Sequence, residues 1–269
     1  MIGFFDSGLG GLTILREVIK RLPEYNYIYL GDNLRTPYGS RSREAIYDFT
    51  AEGATELFKR GAEIIILACN TSSAVALRKL QREFLPINFP DKKILGIIIP
   101  TAEEIGNYTK NKNIGILATE ATAGALTYTK EIGKIYPNIR VVEQGCPLLV
   151  PLIEAGKLEG QEIEVAVQNY IKELLATDDK IDTIILGCTH YAIIANIIKK
   201  YAPMDVKVLS QSEIIAEKLK NYIARHPEIE IKLKKEGKRQ YFTTQEAERI
   251  NNLANLFYGE KIKIEKINL

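Results

Sequence analysis

Two of the three cysteines in this 269-residue chain follow the same kind of segment, a run of apolar residues that ends in a small residue. Cys69 follows residues 64–68 and Cys188 follows residues 183–187, and polar residues come directly after each cysteine. A thiolate is a suitable base near neutral pH, and the thiol that it becomes is a suitable acid. Two thiols at matching places in the two halves could face each other across one substrate and move a proton between its faces.

The position of each cysteine predicts a perturbed thiol. A cysteine at a strand end, with a helix beginning directly after it, lies at the positive N-terminus of that helix. We expect this to lower the thiol pKa from ~8.5 into the range of about 3.5–7.5. The alternative role of a free cysteine is that of a small buried apolar residue. A zinc site of Cys69, Cys188 and His190 would lack paired C-x-x-C spacing, and a cysteine hydrolase would leave one thiol without a role.

Polar side chains stand beside each thiol. Asn70 and Thr71 follow Cys69, and Thr189 and His190 follow Cys188. Thr71 also suits a plain helix N-cap. His190 could take a proton from Cys188 or return one, because the unperturbed pKa of histidine is about 6.5. The third cysteine, Cys146, precedes a proline, and we interpret it as structural.

The loop after the first predicted strand, residues 6–11, is rich in glycine and opens a helix. Thr13 stands where the dinucleotide motif G-x-G-x-x-G requires its last glycine. Backbone amides at this turn could still bind a small anion such as a carboxylate, whereas Asp6 suits an ammonium group or a role beside a thiol. The loop around Asp32 and residues 37–40 follows the second predicted strand at the carboxyl edge of the sheet, and we interpret it as a turn that could also carry a function. Glu154 ends a helical run, and from its position alone we interpret it as a solvated carboxylate.

Strand-like and amphipathic segments alternate along the chain, which predicts an α/β fold with mainly parallel sheets flanked by helices. The predicted strands are residues 2–5, 27–30, 64–68, 94–98, 114–118, 139–142, 183–187 and 206–209. The predicted helices include residues 42–60, 71–84, 160–176, 212–225 and 245–258. Ligands of such folds bind at the carboxyl ends of the strands, where both cysteines lie.

Residues 2–7 resemble residues 114–119, which suggests two related α/β units. We place their boundary near Pro100, where Thr101 and Glu104 have the spacing of a capping box that could start a helix. Near the end of the chain, residues 229–233 and 239–243 suggest a hairpin. The basic residues in this stretch are interpreted as its solvated face.

Composition restricts the class of protein. The chain is 46% hydrophobic and 26% charged with a formal net charge of +2, as in a globular protein. Such a balance favours neither nucleic acid nor a membrane surface as the main partner. No apolar stretch could span a bilayer and no export signal precedes the first strand. Three cysteines form no disulfide framework, so we expect a cytoplasmic protein.

Taken together, the motifs resemble those of bacterial glutamate racemases, in order, at the family's spacing and over nearly the whole chain. The matching segments are Asp6-Ser7-Gly8-x-Gly10-Gly11, Gly31-Asp32, Pro37-Tyr38-Gly39, Ala68-Cys69-Asn70-Thr71, Gln144-x-Cys146-Pro147-Leu148 and Leu186-Gly187-Cys188-Thr189-His190-Tyr191. One departure is Ala192, where the family usually has proline; it should alter the helix start more than the chemistry.

The resemblance implies two similar α/β domains with the active site in the cleft between them, here residues 1–98 with 209–269 and residues 99–208. It implies an enzyme without cofactor or metal that interconverts L- and D-glutamate for peptidoglycan synthesis, commonly as a homodimer. Cys69 would take the α-proton from D-glutamate, assisted by Asp6, and Cys188 from L-glutamate, assisted by His190 and Glu154. The residues implied to hold the substrate are Asp6, Ser7, Tyr38, Gly39, Asn70, Thr71, Thr119, Thr122, Thr189 and His190.

Overall fold

Ten β-strands form two separate sheets in the computed structural model, which describes residues 1–269. In chain order the strands are β1 (Ile2–Asp6), β2 (Tyr27–Gly31), β3 (Ile64–Leu67), β4 (Lys93–Gly96), β5 (Asn113–Ala118), β6 (Arg140–Gly145), β7 (Thr183–Gly187), β8 (Lys207–Leu209), β9 (Arg239–Thr243) and β10 (Ile264–Lys266). β1, β2, β3 and β7 are buried along their whole length. Strands buried on both faces explain why their sequences are continuously apolar instead of alternating.

The two sheets repeat one strand order. The larger sheet has the order β10-β9-β2-β1-β3-β4, and the smaller sheet has the order β6-β5-β7-β8. All pairs are parallel. β1 and β5 are therefore equivalent central strands, and β3 and β7 lie at the same position beside them. The predicted repeat of residues 2–7 at 114–119 is thus present in the topology, and the predicted α/β fold with two parallel sheets is confirmed.

Helices flank both sheets. They are α1 (Leu12–Arg21), α2 (Arg43–Lys59), α3 (Asn70–Val75), α4 (Leu77–Lys79), α5 (Leu85–Asn88), α6 (Ile98–Glu104), α7 (Glu120–Ala125), α8 (Thr127–Ile135), α9 (Leu149–Glu154), α10 (Gln161–Thr177), α11 (Ala195–Tyr201), α12 (Ser212–Arg225), α13 (Pro227–Glu230) and α14 (Ala247–Tyr258). Short 3₁₀ segments occupy Tyr38–Ser40, Ile105–Asn107 and Thr189–Ile194. None of the helices combines the length and apolar character that a bilayer crossing requires.

One hydrophobic core reaches both sheets. Its 46 buried residues include Phe4 in β1 and Ile184 in β7, together with Leu219 in α12. Burial of this apolar surface is the main force that holds the two sheets against each other. The carboxyl ends of their strands are therefore brought into one region.

The predicted hairpin near the end of the chain is wrong. Ile229 lies in α13, and of the two segments only residues 239–243 form a strand, β9. β9 inserts between β2 and β10 and runs parallel to both. Residues 229–233 alternate apolar and charged side chains, which favours a strand. The structure instead buries Ile229 and Leu233, which are four residues apart, and exposes Ile231, so packing overrides this pattern.

Three other boundaries of helices or strands differ from the prediction. Thr101 does not start a helix: it lies inside α6, and its hydroxyl donates to the carbonyl oxygen of Ile97 at 2.8 Å. The strand expected to reach residue 98 ends at Gly96. The helix expected over residues 71–84 is divided into α3, α4 and a π-helical turn, Leu80–Phe84.

Candidate active site

Both cysteines of the predicted pair lie at the carboxyl ends of equivalent strands. Cys69 follows β3 and caps α3, its sulfur accepting the backbone N–H of Ser72 at 3.4 Å. Cys188 follows β7 and immediately precedes the 3₁₀ segment Thr189–Ile194. The repeated strand order therefore brings one thiol from each sheet to a shared cavity that both of them line.

This cavity is small and mostly polar. Its volume is about 10 Å³, roughly the room of one water molecule. It is lined by Ser7, Pro37, Tyr38, Gly39, Cys69, Asn70, Thr71, Thr119, Val150, Cys188, Thr189 and His190. Ten of these were predicted from the sequence, all except Pro37 and Val150. Of the remaining predicted residues, Asp6, Glu154 and Thr122 contact lining residues from behind.

Cys69 is in an environment that favours the neutral thiol. Its sulfur donates to Ser7 Oγ at 3.4 Å, and only 4% of the residue is exposed. Burial raises the pKa of the Cys69 thiol, and the nearby charge of Asp6 raises it further. The expected lowering of the Cys69 pKa is therefore wrong. α3 has only six residues, and desolvation of the thiolate outweighs its N-terminus.

The Asp6 carboxylate accepts hydrogen bonds from backbone N–H groups of its own loop. One carboxylate oxygen, Oδ2, accepts the backbone N–H groups of Gly8 and Gly11, each at 3.2 Å, and Oδ1 accepts the Thr189 hydroxyl at 3.4 Å. Two of the amides that could have bound an external carboxylate are therefore already occupied. Burial raises the pKa of Asp6, and the neighbouring His190 opposes that rise. Asp6 thus connects the Cys69 side of the cavity with the segment that follows Cys188.

A second chain of polar groups supports Cys188. His190 Nδ1 lies 3.8 Å from Cys188 Sγ, and His190 Nε2 lies 2.6 Å from Glu154 Oε1, at the end of α9. Burial by itself lowers the pKa of His190, but the hydrogen bonds to Cys188 and to Glu154 hold that pKa well above its ordinary value. A protonated imidazole at this place stabilises a thiolate on Cys188 and can exchange a proton with it. Glu154, interpreted from its position in the helix as a solvated carboxylate, is instead the partner of His190.

Three threonine hydroxyls meet between the two sheets. Thr71 Oγ1 lies 2.9 Å from Thr119 Oγ1 and 3.2 Å from Thr122 Oγ1, and the last two lie 3.0 Å apart. Thr71 follows β3 of the larger sheet, whereas Thr119 and Thr122 follow β5 of the smaller sheet. Thr71 and Thr119 line the cavity, so hydroxyl groups face it from both sheets, and Thr122 supports them from behind.

Asp32 is a site residue to which the sequence analysis gave no role. Its Oδ2 accepts the Tyr38 hydroxyl at 2.5 Å and the Arg35 Nε–H at 2.6 Å, and its Oδ1 accepts the Thr244 hydroxyl at 2.9 Å. Asp32 is fully buried and holds the Tyr38 ring against the cavity. The sequence placed Asp32 directly after the second strand, at the carboxyl edge of the sheet, but did not show that it holds Tyr38.

No group of three or more His, Cys, Asp or Glu side chains has an arrangement that could hold a metal ion. The zinc site considered for Cys69, Cys188 and His190 is therefore not formed. The polar groups of the cavity are thiol, hydroxyl, amide and imidazole groups, with carboxylates behind them.

Comparison with known proteins agrees with this arrangement. The sequence pattern of the Asp/Glu/hydantoin racemase family matches residues 12–219. The chain is 37% identical over 269 residues to the glutamate racemase of Sulfurihydrogenibium sp., covering 100% of this chain and 97% of that protein. It is 36% identical over 268 residues to the glutamate racemase of Persephonella marina, covering 100% of this chain and 97% of that protein.

Solved structures of glutamate racemases are also similar to this chain over its full length. The crystal structure of glutamate racemase isoform RacE1 from Bacillus anthracis has a TM-score of 0.89 and 31% identity, covering 100% of this chain and 97% of that chain. The glutamate racemase from Francisella tularensis in complex with D-glutamate has a TM-score of 0.86 and 31% identity, with the same coverage. The chain therefore belongs to the Asp/Glu/hydantoin racemase family of enzymes.

Proposed function

We propose that this protein interconverts L- and D-glutamate without a cofactor, with Cys69 and Cys188 as the two bases. The observation that carries the proposal is the placement of one thiol from each sheet on a single cavity. The full-length similarity to glutamate racemases supports glutamate as the substrate. We also propose that the two sheets are the cores of two domains, residues 1–98 with 209–269 and residues 99–208.

The chemistry requires a base on each face of the substrate α-carbon. One thiolate takes the α-proton, the electron pair remains on the carbon, and the opposite thiol gives its proton to the other face. Following the motif resemblance, Cys69 acts on D-glutamate and Cys188 on L-glutamate. Asp6 and Ser7 flank Cys69, while His190 and Glu154 form the chain behind Cys188.

The polar lining suits a zwitterionic dicarboxylate. No Lys or Arg lines the cavity, so hydroxyl and amide donors would hold the carboxylates. The candidates from the prediction are Ser7, Tyr38, Gly39, Asn70, Thr71, Thr119, Thr122 and Thr189, with Asp6 facing the ammonium group. Fixed donors at the α-carboxylate would stabilise the negative charge that develops when the proton leaves.

A cavity the size of one water molecule is far smaller than glutamate. Substrate therefore enters only when the two sheets and their loops move apart, and catalysis follows closure. Closure removes water from the thiolate and strengthens the hydrogen bonds around the reacting carbon.

Two further expectations depend on the motif resemblance: that D-glutamate from this reaction serves peptidoglycan synthesis, and that the protein is a homodimer. A third, that the protein works in the cytoplasm, depends on its cysteine content. We retain them as proposals.

Circular dichroism with each enantiomer of glutamate and of aspartate tests the activity, and turnover of aspartate in place of glutamate would contradict it. In D₂O, each glutamate enantiomer should acquire deuterium at Cα mainly as it becomes the other. Cys69→Ser and Cys188→Ser should each abolish racemisation. Cys146→Ser is the matched control because that thiol is buried and does not line the cavity. Intact racemisation by Cys188→Ser would disprove the two-base scheme.

A further inference from the structure

Three buried side chains close a ring of hydrogen bonds next to Cys69. The Tyr128 hydroxyl donates to Asn70 Oδ1 at 2.6 Å, Asn70 Nδ2 donates to Gln211 Oε1 at 2.8 Å, and Gln211 Nε2 donates back to the Tyr128 oxygen at 2.6 Å. Gln211 Nε2 makes a second bond, to Thr101 Oγ1 at 2.8 Å. One N–H of Gln211 and the single proton of the tyrosine are therefore used in the ring, and the other N–H of Gln211 is used by Thr101.

The ring fixes the orientation of the Asn70 carboxamide. The direction of the ring is set at Gln211, because the Thr101 hydroxyl already donates to the Ile97 carbonyl oxygen and so accepts from Gln211 Nε2. With Gln211 held in this way, a rotated Asn70 amide would put donor against donor and acceptor against acceptor. One N–H of Asn70 is used in the ring and the other is not. Asn70 lines the cavity, whereas Tyr128 and Gln211 do not.

The members of the ring come from the parts of the chain that meet at the cavity. Asn70 follows β3 of the larger sheet, and Tyr128 lies in α8, after the central strand of the smaller sheet. Gln211 lies between β8 and α12, where the chain leaves the smaller sheet. One set of hydrogen bonds thus ties both sheets and the connection out of the smaller sheet to a residue adjacent to Cys69.

We propose that Tyr128 and Gln211 are positioning residues, which hold the Asn70 carboxamide so that its second N–H donates to the bound substrate. This inference rests on the proposed function, because it requires Asn70 to contact glutamate. Packing alone would not require a ring of polar groups at this place. Apolar side chains of similar volume would fill the same space without polar atoms that need partners.

Kinetics of Tyr128→Phe test the inference. This change removes only the hydroxyl, which frees the Asn70 amide to rotate. We expect the KM for both glutamate enantiomers to rise about tenfold, while kcat changes much less, because neither thiol is touched. Tyr136→Phe is the matched control: that hydroxyl also makes one hydrogen bond, to the backbone oxygen of Glu103 at 2.8 Å, on the exposed surface.

A double-mutant cycle separates positioning from simple packing. Asn70→Ala should raise KM by a similar factor, and Tyr128→Phe added to Asn70→Ala should raise it no further, because the hydroxyl acts only through Asn70. Additive effects, or a Tyr128→Phe enzyme whose KM equals that of Tyr136→Phe, would overturn the proposal.

Gln211→Glu provides a second variant of nearly the same shape. It retains an acceptor for Asn70 but loses the N–H groups that reach Tyr128 and Thr101, and it should raise KM in the same way. Isothermal titration of D-glutamate into the same variants built on the inactive Cys188→Ser protein repeats the cycle without racemisation. A wild-type protein that fails to racemise glutamate contradicts the proposed function, whereas additive binding losses contradict the positioning role.

Discussion

Glu154 and His190 are joined at 2.6 Å between Oε1 and Nε2, on the side of the imidazole opposite to Cys188. The His190 side chain is buried, so a positive charge on it would be unfavourable without a partner. The carboxylate supplies that partner and, with Cys188, holds the pKa of His190 above its ordinary value. A residue at the end of α9 thereby controls the charge next to a thiol that it does not touch.

Glu154→Gln should move the alkaline limb of the pH profile of kcat/KM to lower pH. Removing the negative charge lowers the pKa of His190, so the imidazolium beside Cys188 is lost at a lower pH. Racemisation rates across the alkaline range check this. Glu228→Gln is the matched control, because Glu228 pairs with His226 at 2.8 Å on the surface. An alkaline limb that stays in place would contradict the role of Glu154.

Asp6→Asn should lower the pKa of the Cys69 thiol and reduce kcat. The Asp6 charge contributes to the raised pKa of Cys69, so its removal lowers that pKa. Loss of a positioned acid–base group should reduce kcat by roughly 10²-fold. The pH dependence of alkylation of Cys69, followed by mass spectrometry, measures the first effect. An unchanged alkylation profile would show that the Asp6 charge does not act on this thiol.

Gly39→Ala should hinder closure of the cavity. A Cβ at Gly39 would lie 2.5 Å from Thr119 Cβ, and the two residues come from opposite sides of the cavity. Overpacking of this kind costs about 1–3 kcal/mol, which predicts a KM increase of about fivefold to 150-fold. Gly124→Ala in α7 is the control, since no atom lies within 4 Å of its added Cβ. A wild-type KM in Gly39→Ala would contradict closure at this contact.

The sequence was most informative where strands are buried on both faces. The apolar runs before Cys69 and Cys188 identified β3 and β7, and the polar residues after them identified four lining residues of the cavity. Ser7, Tyr38, Gly39 and Thr119 were predicted only through the motif resemblance. The sequence was least informative where the pairing of strands depends on segments that are distant in the chain. β9 joins β2 from more than two hundred residues away, and no local pattern could assign it that neighbour.

The residues that support the cavity from behind also could not be predicted from the sequence. Tyr128 and Gln211 stand in no motif, and only packing of the two sheets brings them to Asn70. The Cys69 pKa was predicted in the wrong direction because helix position can be read from sequence, whereas the extent of burial cannot.

The unequal surroundings of the two thiols have a consequence for rates. Mirror-image forms of glutamate have equal free energy in solution, so for the proposed reaction the ratio kcat/KM must be the same in both directions. The hydroxyl of Ser7 beside Cys69 and the imidazole of His190 beside Cys188 therefore cannot make one direction more efficient at low substrate concentration. Any asymmetry between the two sides must appear as matched changes in kcat and KM, with the enantiomer that binds more tightly turning over more slowly.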